Sequence, residues 1–115
     1  MKSIKEWEDK TAEASELLKK VERQIHSIVP NADVILYGSQ VRGEASKFSD
    51  WDFLILTDQL VDRNLTIKLR DSLYEIELET DEILSSIIRT RQDWNSPRYS
   101  VLPFKRIIEK EGVLL

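Results

Sequence analysis

Two short stretches of this sequence contain residue types that can bind phosphate and metal. Gly38-Ser39 follows an apolar run, residues 33–37, at a point where a strand ends and a helical turn is predicted to begin. A glycine there lets a ligand approach the backbone, and nearby amides and the Ser39 hydroxyl could bind phosphate oxygens. Asp50 and Asp52 begin a second apolar run. Because strand side chains alternate, both carboxylates are expected on one face, where they repel each other unless a cation such as Mg²⁺ lies between them.

Each stretch alone is also compatible with an ordinary structural role. Gly-Ser pairs are common in turns, Asp50 could cap a turn, and Asp52 could be an edge residue of a strand. The two stretches are separated by ten residues, Gln40 to Ser49. A phosphate-binding turn followed at this distance by paired carboxylates indicates a site for a metal-bound phosphate compound.

These residues also form the motif of a known family. Gly38-Ser39, Arg42-Gly43 and Ser49-Asp50-Trp51-Asp52 resemble the signature of the minimal nucleotidyltransferases of the DNA polymerase β superfamily. The segment Ile107 to Val113 is similar to the helix and Glu-Gly ending that is common in these proteins. The resemblance runs from about Asn31 to the C-terminus and implies a palm-like α+β fold.

The resemblance implies a Mg²⁺-dependent transferase that moves a nucleoside monophosphate from a nucleoside triphosphate, with ATP the expected donor, to a hydroxyl acceptor. Asp50 and Asp52 would act catalytically by holding the metal in a two-metal site. Gly38, Ser39, Arg42 and Lys47 would bind the nucleotide. Arg42 could equally anchor its loop, and Lys47 could be a solvated surface lysine.

The same family usually has a third carboxylate on the next strand of the sheet, as general base and metal ligand. The best match here is Glu82, followed by the apolar residues Ile83 and Leu84. Asp81 and Glu79 compete for the role, although both are expected to be exposed where a helix passes into the strand. If none of them serves, the protein would be a non-catalytic nucleotide-binding antitoxin or regulatory module.

The elements that must position these residues follow from hydrophobic periodicity. The pattern predicts a single α+β domain over residues 1–115, in which helices flank a small mixed sheet. Residues 1–29 are predicted as one long helix, from Ser3 to Val29, and residues 31–115 as the catalytic core. Strands are predicted at 33–37, 51–56 and 82–89, and helices at 62–79 and 104–111. Ile4 and Trp7 lie on the apolar stripe of the long helix, where we expect them to contact a second chain.

Composition excludes several classes of protein. The 115 residues include no cysteine and one histidine, which excludes disulfides and argues against thiolate or histidine metal sites. The net charge of −4 disfavours sequence-independent nucleic-acid binding. No signal peptide or membrane span is recognisable, so a cytoplasmic protein is expected. The resemblance makes a helical HEPN-type toxin a plausible partner, and a homodimer through the N-terminal helix is the other expected assembly.

Overall fold

The computed structural model describes residues 1–7, 10–46 and 48–115. Five strands form one mixed sheet in the order β1-β5-β2-β3-β4, in which β3 runs antiparallel to β2 and parallel to β4. In chain order the elements are β1 (Lys2–Ser3), a 3₁₀ turn (Ile4–Glu6), α1 (Ala12–Ile28), β2 (Asp33–Tyr37), α2 (Ser39–Arg42), β3 (Trp51–Thr57), α3 (Arg63–Thr80), β4 (Leu84–Thr90), α4 (Arg91–Trp94), α5 (Pro97–Ser100), α6 (Pro103–Glu111) and β5 (Val113–Leu114).

Helices cover both faces of the sheet, whereas the sequence pattern predicted cover mainly on one face. On one face, Phe53 and Ile55 of β3 pack in a core with the apolar stripes of α1 and α3. On the other face, Leu54 and Leu56 pack with Trp94 of α4 and Ile108 of α6. Because side chains alternate along β3, the sheet separates a larger hydrophobic core on one face from a smaller one on the other. Within the described residues, no helix is long and apolar enough to cross a membrane.

The N-terminal segment corrects the sequence prediction, because helix α1 begins at Ala12 and not at Ser3. The Thr11 hydroxyl accepts a hydrogen bond of 3.1 Å from the Ala14 amide and so forms the N-cap. Ser3 lies in β1, which pairs with β5 at the edge of the sheet, and its hydroxyl bonds to Glu6. The long helix over residues 1–29 was therefore wrong, although its C-terminal two thirds were placed correctly.

The same correction removes the basis for the predicted contact of Ile4 and Trp7 with a second chain. Trp7 is only 4% exposed and belongs to the larger core, and Ile4 packs against that core. The Lys10 ammonium donates a hydrogen bond of 2.8 Å to the Ile4 carbonyl and ties this segment to the start of α1. Because the first residues fold back along the sheet, the indole is buried by its own chain.

The other predicted elements lie close to their predicted bounds, whereas α4, α5 and β5 were not predicted. β2 occupies the predicted residues, and β3 and α3 each end one residue later than expected. The Asp62 carboxylate caps α3 by accepting a hydrogen bond of 2.8 Å from the Leu65 amide. The difference that matters for the site is in β4, which begins at Leu84. Glu82 therefore precedes the strand on which it was expected.

Candidate active site

Gly38 connects β2 to α2 and lies directly against Asp52. Its φ of +89° is in a region that residues with a side chain rarely adopt. A Cβ atom at this position would lie 2.4 Å from Asp52 Oδ2, far inside van der Waals contact. Both the backbone conformation and the neighbouring carboxylate therefore require glycine. Ser39 follows as the first residue of α2, half-buried beside this contact.

Asp50 and Asp52 lie on the same face of the sheet, as the alternation predicts. Ser85 of β4 is the register partner of Asp52, and its hydroxyl donates a hydrogen bond of 3.2 Å to Asp50 Oδ2. Partial burial raises the pKa of Asp52, the negative charge of Asp50 raises it further, and the positive charge of Arg42 opposes both. The two carboxylates are thus close enough to repel each other.

Arg42 lies at the C-terminal end of α2, between two carboxylates of its own chain. Its Nε atom donates to Glu44, and its Nη1 atom donates a hydrogen bond of 3.0 Å to Glu111 Oε1. The same Glu111 oxygen accepts a bond of 3.3 Å from the Gly38 amide. These hydrogen bonds to Glu44 and Glu111 raise the pKa of the already basic guanidinium.

Two residues of this site were not singled out from the sequence. Glu111 belongs to the Glu-Gly ending that carried part of the family resemblance, but its contact with Gly38 and Arg42 depends on how α6 packs. Tyr37 pairs with Asp52 across β2 and β3, and burial together with the charge of Asp52 raises its pKa to about 12. The signal for Tyr37 was available, because it is the last strand residue before Gly38.

The predicted third carboxylate is not at the site. The Trp51 indole donates a hydrogen bond of 3.1 Å to Glu82 Oε2, and Trp51 packs in the larger core on the face opposite Asp52. Of the two competitors, Glu79 pairs with Lys20 of α1 on that opposite side, and Asp81 ends α3 with a φ of +59°. The expectation that Glu82 joins the aspartate pair was therefore wrong.

The position beside Asp52 on the next strand is filled by Ser85, a residue that cannot act as a carboxylate ligand or base. Among the residues that the structure describes, no group of three or more acidic, histidine or cysteine side chains could hold a metal ion. Lys47 lies outside the described residues, so its predicted role in nucleotide binding remains a prediction. The structure thus brings together Gly38, Arg42, Asp50 and Asp52, and leaves Glu82 apart.

Comparison with known proteins identifies the family to which this chain belongs. A family model described as a nucleotidyltransferase domain matches residues 18–115. The chain belongs to the nucleotidyltransferase domain family. It is 29% identical over 101 residues to a Haemophilus influenzae protein named "Probable protein adenylyltransferase MntA", a match that covers 88% of this chain and 80% of the relative. A crystal structure assigned as a nucleotidyltransferase is 29% identical with a TM-score of 0.48, covering 67% of this chain and 82% of that one.

Family membership confirms the resemblance that the motif indicated, including its minimal nucleotidyltransferase type. The residues of this nucleotidyltransferase domain also suit the magnesium ion that such proteins generally use. Mg²⁺ binds through one or two protein carboxylates and completes its shell with water and substrate phosphate oxygens. Asp50 and Asp52 supply such a pair, and a cation between them would relieve the repulsion that, after burial, raises the pKa of Asp52.

Proposed function

We propose that this nucleotidyltransferase domain is Mg²⁺-dependent and transfers a nucleoside monophosphate from ATP to a hydroxyl group. The observation that carries the proposal is the contact between Gly38 and Asp52. It brings the turn that would receive phosphates within van der Waals distance of a carboxylate that would hold the metal. Such closeness would let one ligand, a metal-bound triphosphate, contact both at once.

In this reaction the acceptor hydroxyl gives up its proton to solvent and its oxygen bonds to the α-phosphorus. The bond from that phosphorus to the oxygen that bridges it to the β-phosphate breaks, and pyrophosphate leaves with that oxygen. Asp50 and Asp52 would hold the metal, which when bound neutralises phosphate charge and makes the acceptor hydroxyl a better nucleophile. Because Gly38 has no side chain, the turn can lie directly against Asp52. The Ser39 hydroxyl would donate a hydrogen bond to the phosphates, and Arg42 would neutralise part of their charge.

The acceptor that we propose is a hydroxyl side chain of a partner protein, with a HEPN-type toxin as the leading candidate in a cytoplasmic toxin-antitoxin pair. The name of the Haemophilus influenzae relative supports a protein acceptor, since it describes a protein adenylyltransferase. The family motif supports the HEPN-type partner. Neither Gly38 nor the aspartate pair has any feature that selects one hydroxyl over another.

Labelling of a co-expressed HEPN-type partner tests this function. The purified pair is incubated with ATP that carries radiolabel on the α-phosphate, in the presence of Mg²⁺ or of a chelator. We expect label on the partner only with Mg²⁺, and none when Asp50 and Asp52 are both changed to asparagine. Asp71→Asn, an exposed change on α3, is the matched control and should label normally. Equal labelling by the double variant would refute the site.

A second function, a nucleotide-binding antitoxin or regulatory module without transfer, is favoured by one observation. Ser85 occupies the strand position beside Asp52, while Glu82 is bonded to Trp51 on the other face. A domain of this kind would bind Mg-ATP through Asp50 and Asp52 but lack a base for the acceptor. Mg-ATP binding by calorimetry, combined with no label on the partner, would support this function over transfer.

A further inference from the structure

Glu111, the last residue of α6, contacts both groups that the proposed function assigns to the phosphates at this end of the site. Its Oε1 atom accepts hydrogen bonds from the Gly38 amide at 3.3 Å and from Arg42 Nη1 at 3.0 Å. The Glu111 side chain is 18% exposed, whereas that of Arg42 is 44% exposed. A carboxylate of the chain itself therefore lies where a phosphate oxygen would meet these donors.

The charge of Arg42 is already balanced before any ligand binds. Glu44 and Glu111 both pair with the guanidinium, and Arg42 also interacts with the negative charge of Asp52. An incoming polyphosphate thus meets one cationic side chain that is shared among three carboxylates. The repulsion that it experiences from Glu111 grows in proportion to its own charge.

We propose that the charge of Glu111 strengthens the preference of this site for the metal-bound triphosphate over the metal-free one. This inference rests on the proposed function, because it assumes that Arg42 and Gly38 face the phosphates. A free nucleoside triphosphate carries about four negative charges, and its complex with one Mg²⁺ carries about two. The charge of Glu111 therefore adds about twice as much unfavourable free energy to binding of the free triphosphate as to binding of its Mg²⁺ complex.

Glu111 has a second role that the test must separate from the first. Its oxygen anchors the Gly38 amide, and through it the turn between β2 and α2. Glu111→Gln keeps an acceptor oxygen of the same reach and removes only the negative charge. Glu109→Gln on the same helix is the matched control, since Glu109 is 55% exposed and pairs with Lys105 away from the site.

Calorimetry with ATP plus chelator and with Mg-ATP gives the affinities of the two forms for each protein. For Glu111→Gln we expect free ATP to bind about 10-fold more tightly and Mg-ATP about 3-fold more tightly, so that the preference for the complex narrows about 3-fold. Glu109→Gln should change neither affinity by more than about 2-fold. Should Glu111→Gln fail to fold by circular dichroism, Glu111→Ala removes the same charge and must narrow the preference in the same direction.

Three results would overturn the inference. Equal factors for the two forms, or weaker binding of both, would mean that Glu111 only holds the turn in place. Matching changes in Glu109→Gln would mean that the net charge of the protein is responsible. If the wild-type protein binds Mg-ATP, any of these results refutes this inference alone, whereas a wild type that binds neither form refutes the proposed function as well.

Discussion

Ser85 determines how many carboxylates this site can offer a metal, and Ser85→Asp should create the third. The Ser85 hydroxyl is 3.2 Å from Asp50 Oδ2, and Ser85 is the register partner of Asp52. An aspartate there would extend a carboxylate toward both existing ones. We expect the variant to bind Mn²⁺ or Mg²⁺ more tightly than the wild type, and to be less stable when no metal is present.

The magnitude follows from the distance. Two unit charges about 4 Å apart interact by about 4 kcal/mol at an effective dielectric constant near 20. Asp50 is exposed, so screening by water and salt reduces the repulsion to about 1–2 kcal/mol. When a divalent cation is bound, the added carboxylate stabilises the protein and no longer destabilises it, because the cation attracts it. About 1.4 kcal/mol of added attraction corresponds to about 10-fold tighter binding of the metal.

Two variants control for shape and for charge. Ser85→Asn has nearly the shape of the aspartate without its charge, and Ser86→Asp puts a carboxylate one residue along the strand. Ser86 is the register partner of Phe53 and so lies on the face opposite Asp52. Free Mn²⁺ measured by electron paramagnetic resonance gives the affinity, and thermal unfolding with and without metal gives the stability. The register argument would be refuted if Ser86→Asp bound Mn²⁺ more tightly than the wild type, or if Ser85→Asp did not.

Four further predictions test the placement of Glu82, Asp52 and Gly38. Glu82→Gln should alter labelling of a partner less than 2-fold but lower thermal stability slightly, since the Glu82 carboxylate accepts the Trp51 indole hydrogen bond on the face opposite Asp52. Asp52→Asn should lower the Tyr37 pKa from about 12, measured by absorbance titration, because the carboxylate charge helps to raise it. Because the pKa of Asp52 is raised in the folded protein, the free energy of unfolding falls as the pH rises through that pKa. Asp52→Asn removes this loss, so it should stabilise the protein at pH 7 and not at pH 3. Gly38→Ala should abolish Mg-ATP binding in calorimetry, because its Cβ would collide with Asp52.

The parts of the site that could be predicted from the sequence are local ones. The turn at Gly38 and the shared face of Asp50 and Asp52 depend on residues within one strand and the turn beside it. Two-residue alternation from Asp50, which directly precedes β3, to Asp52 is enough to place both carboxylates on the same side. No information from the rest of the chain is needed for that inference.

The parts that could not be predicted depend on long-range pairing. Whether Glu82 or Ser85 lies beside Asp52 is decided by the register between β3 and β4, and α3 separates these strands in the sequence. A pattern of residue types carries no information about that register. The contact of Glu111 with Arg42 joins residues 69 positions apart and depends on the packing of α6. The wrong placement of Glu82 and the missed contact of Glu111 therefore have the same origin, the tertiary pairing of the predicted elements.

Trp7 shows how a periodic pattern can extend a helix beyond its true end, and it gives the last prediction. The spacing of Trp7 to the α1 stripe is helical, yet Thr11 caps the helix and the indole reaches the core from a separate segment. Within the described residues, its Nε1 atom is buried without a hydrogen-bond partner. Because Trp7→Ala removes a large side chain from the core, it should lower the free energy of unfolding, measured in urea, by about 3–5 kcal/mol. Trp7→Phe loses no hydrogen bond and should cost clearly less, whereas equal and small losses in both variants would mean that the N-terminal segment is not part of the core.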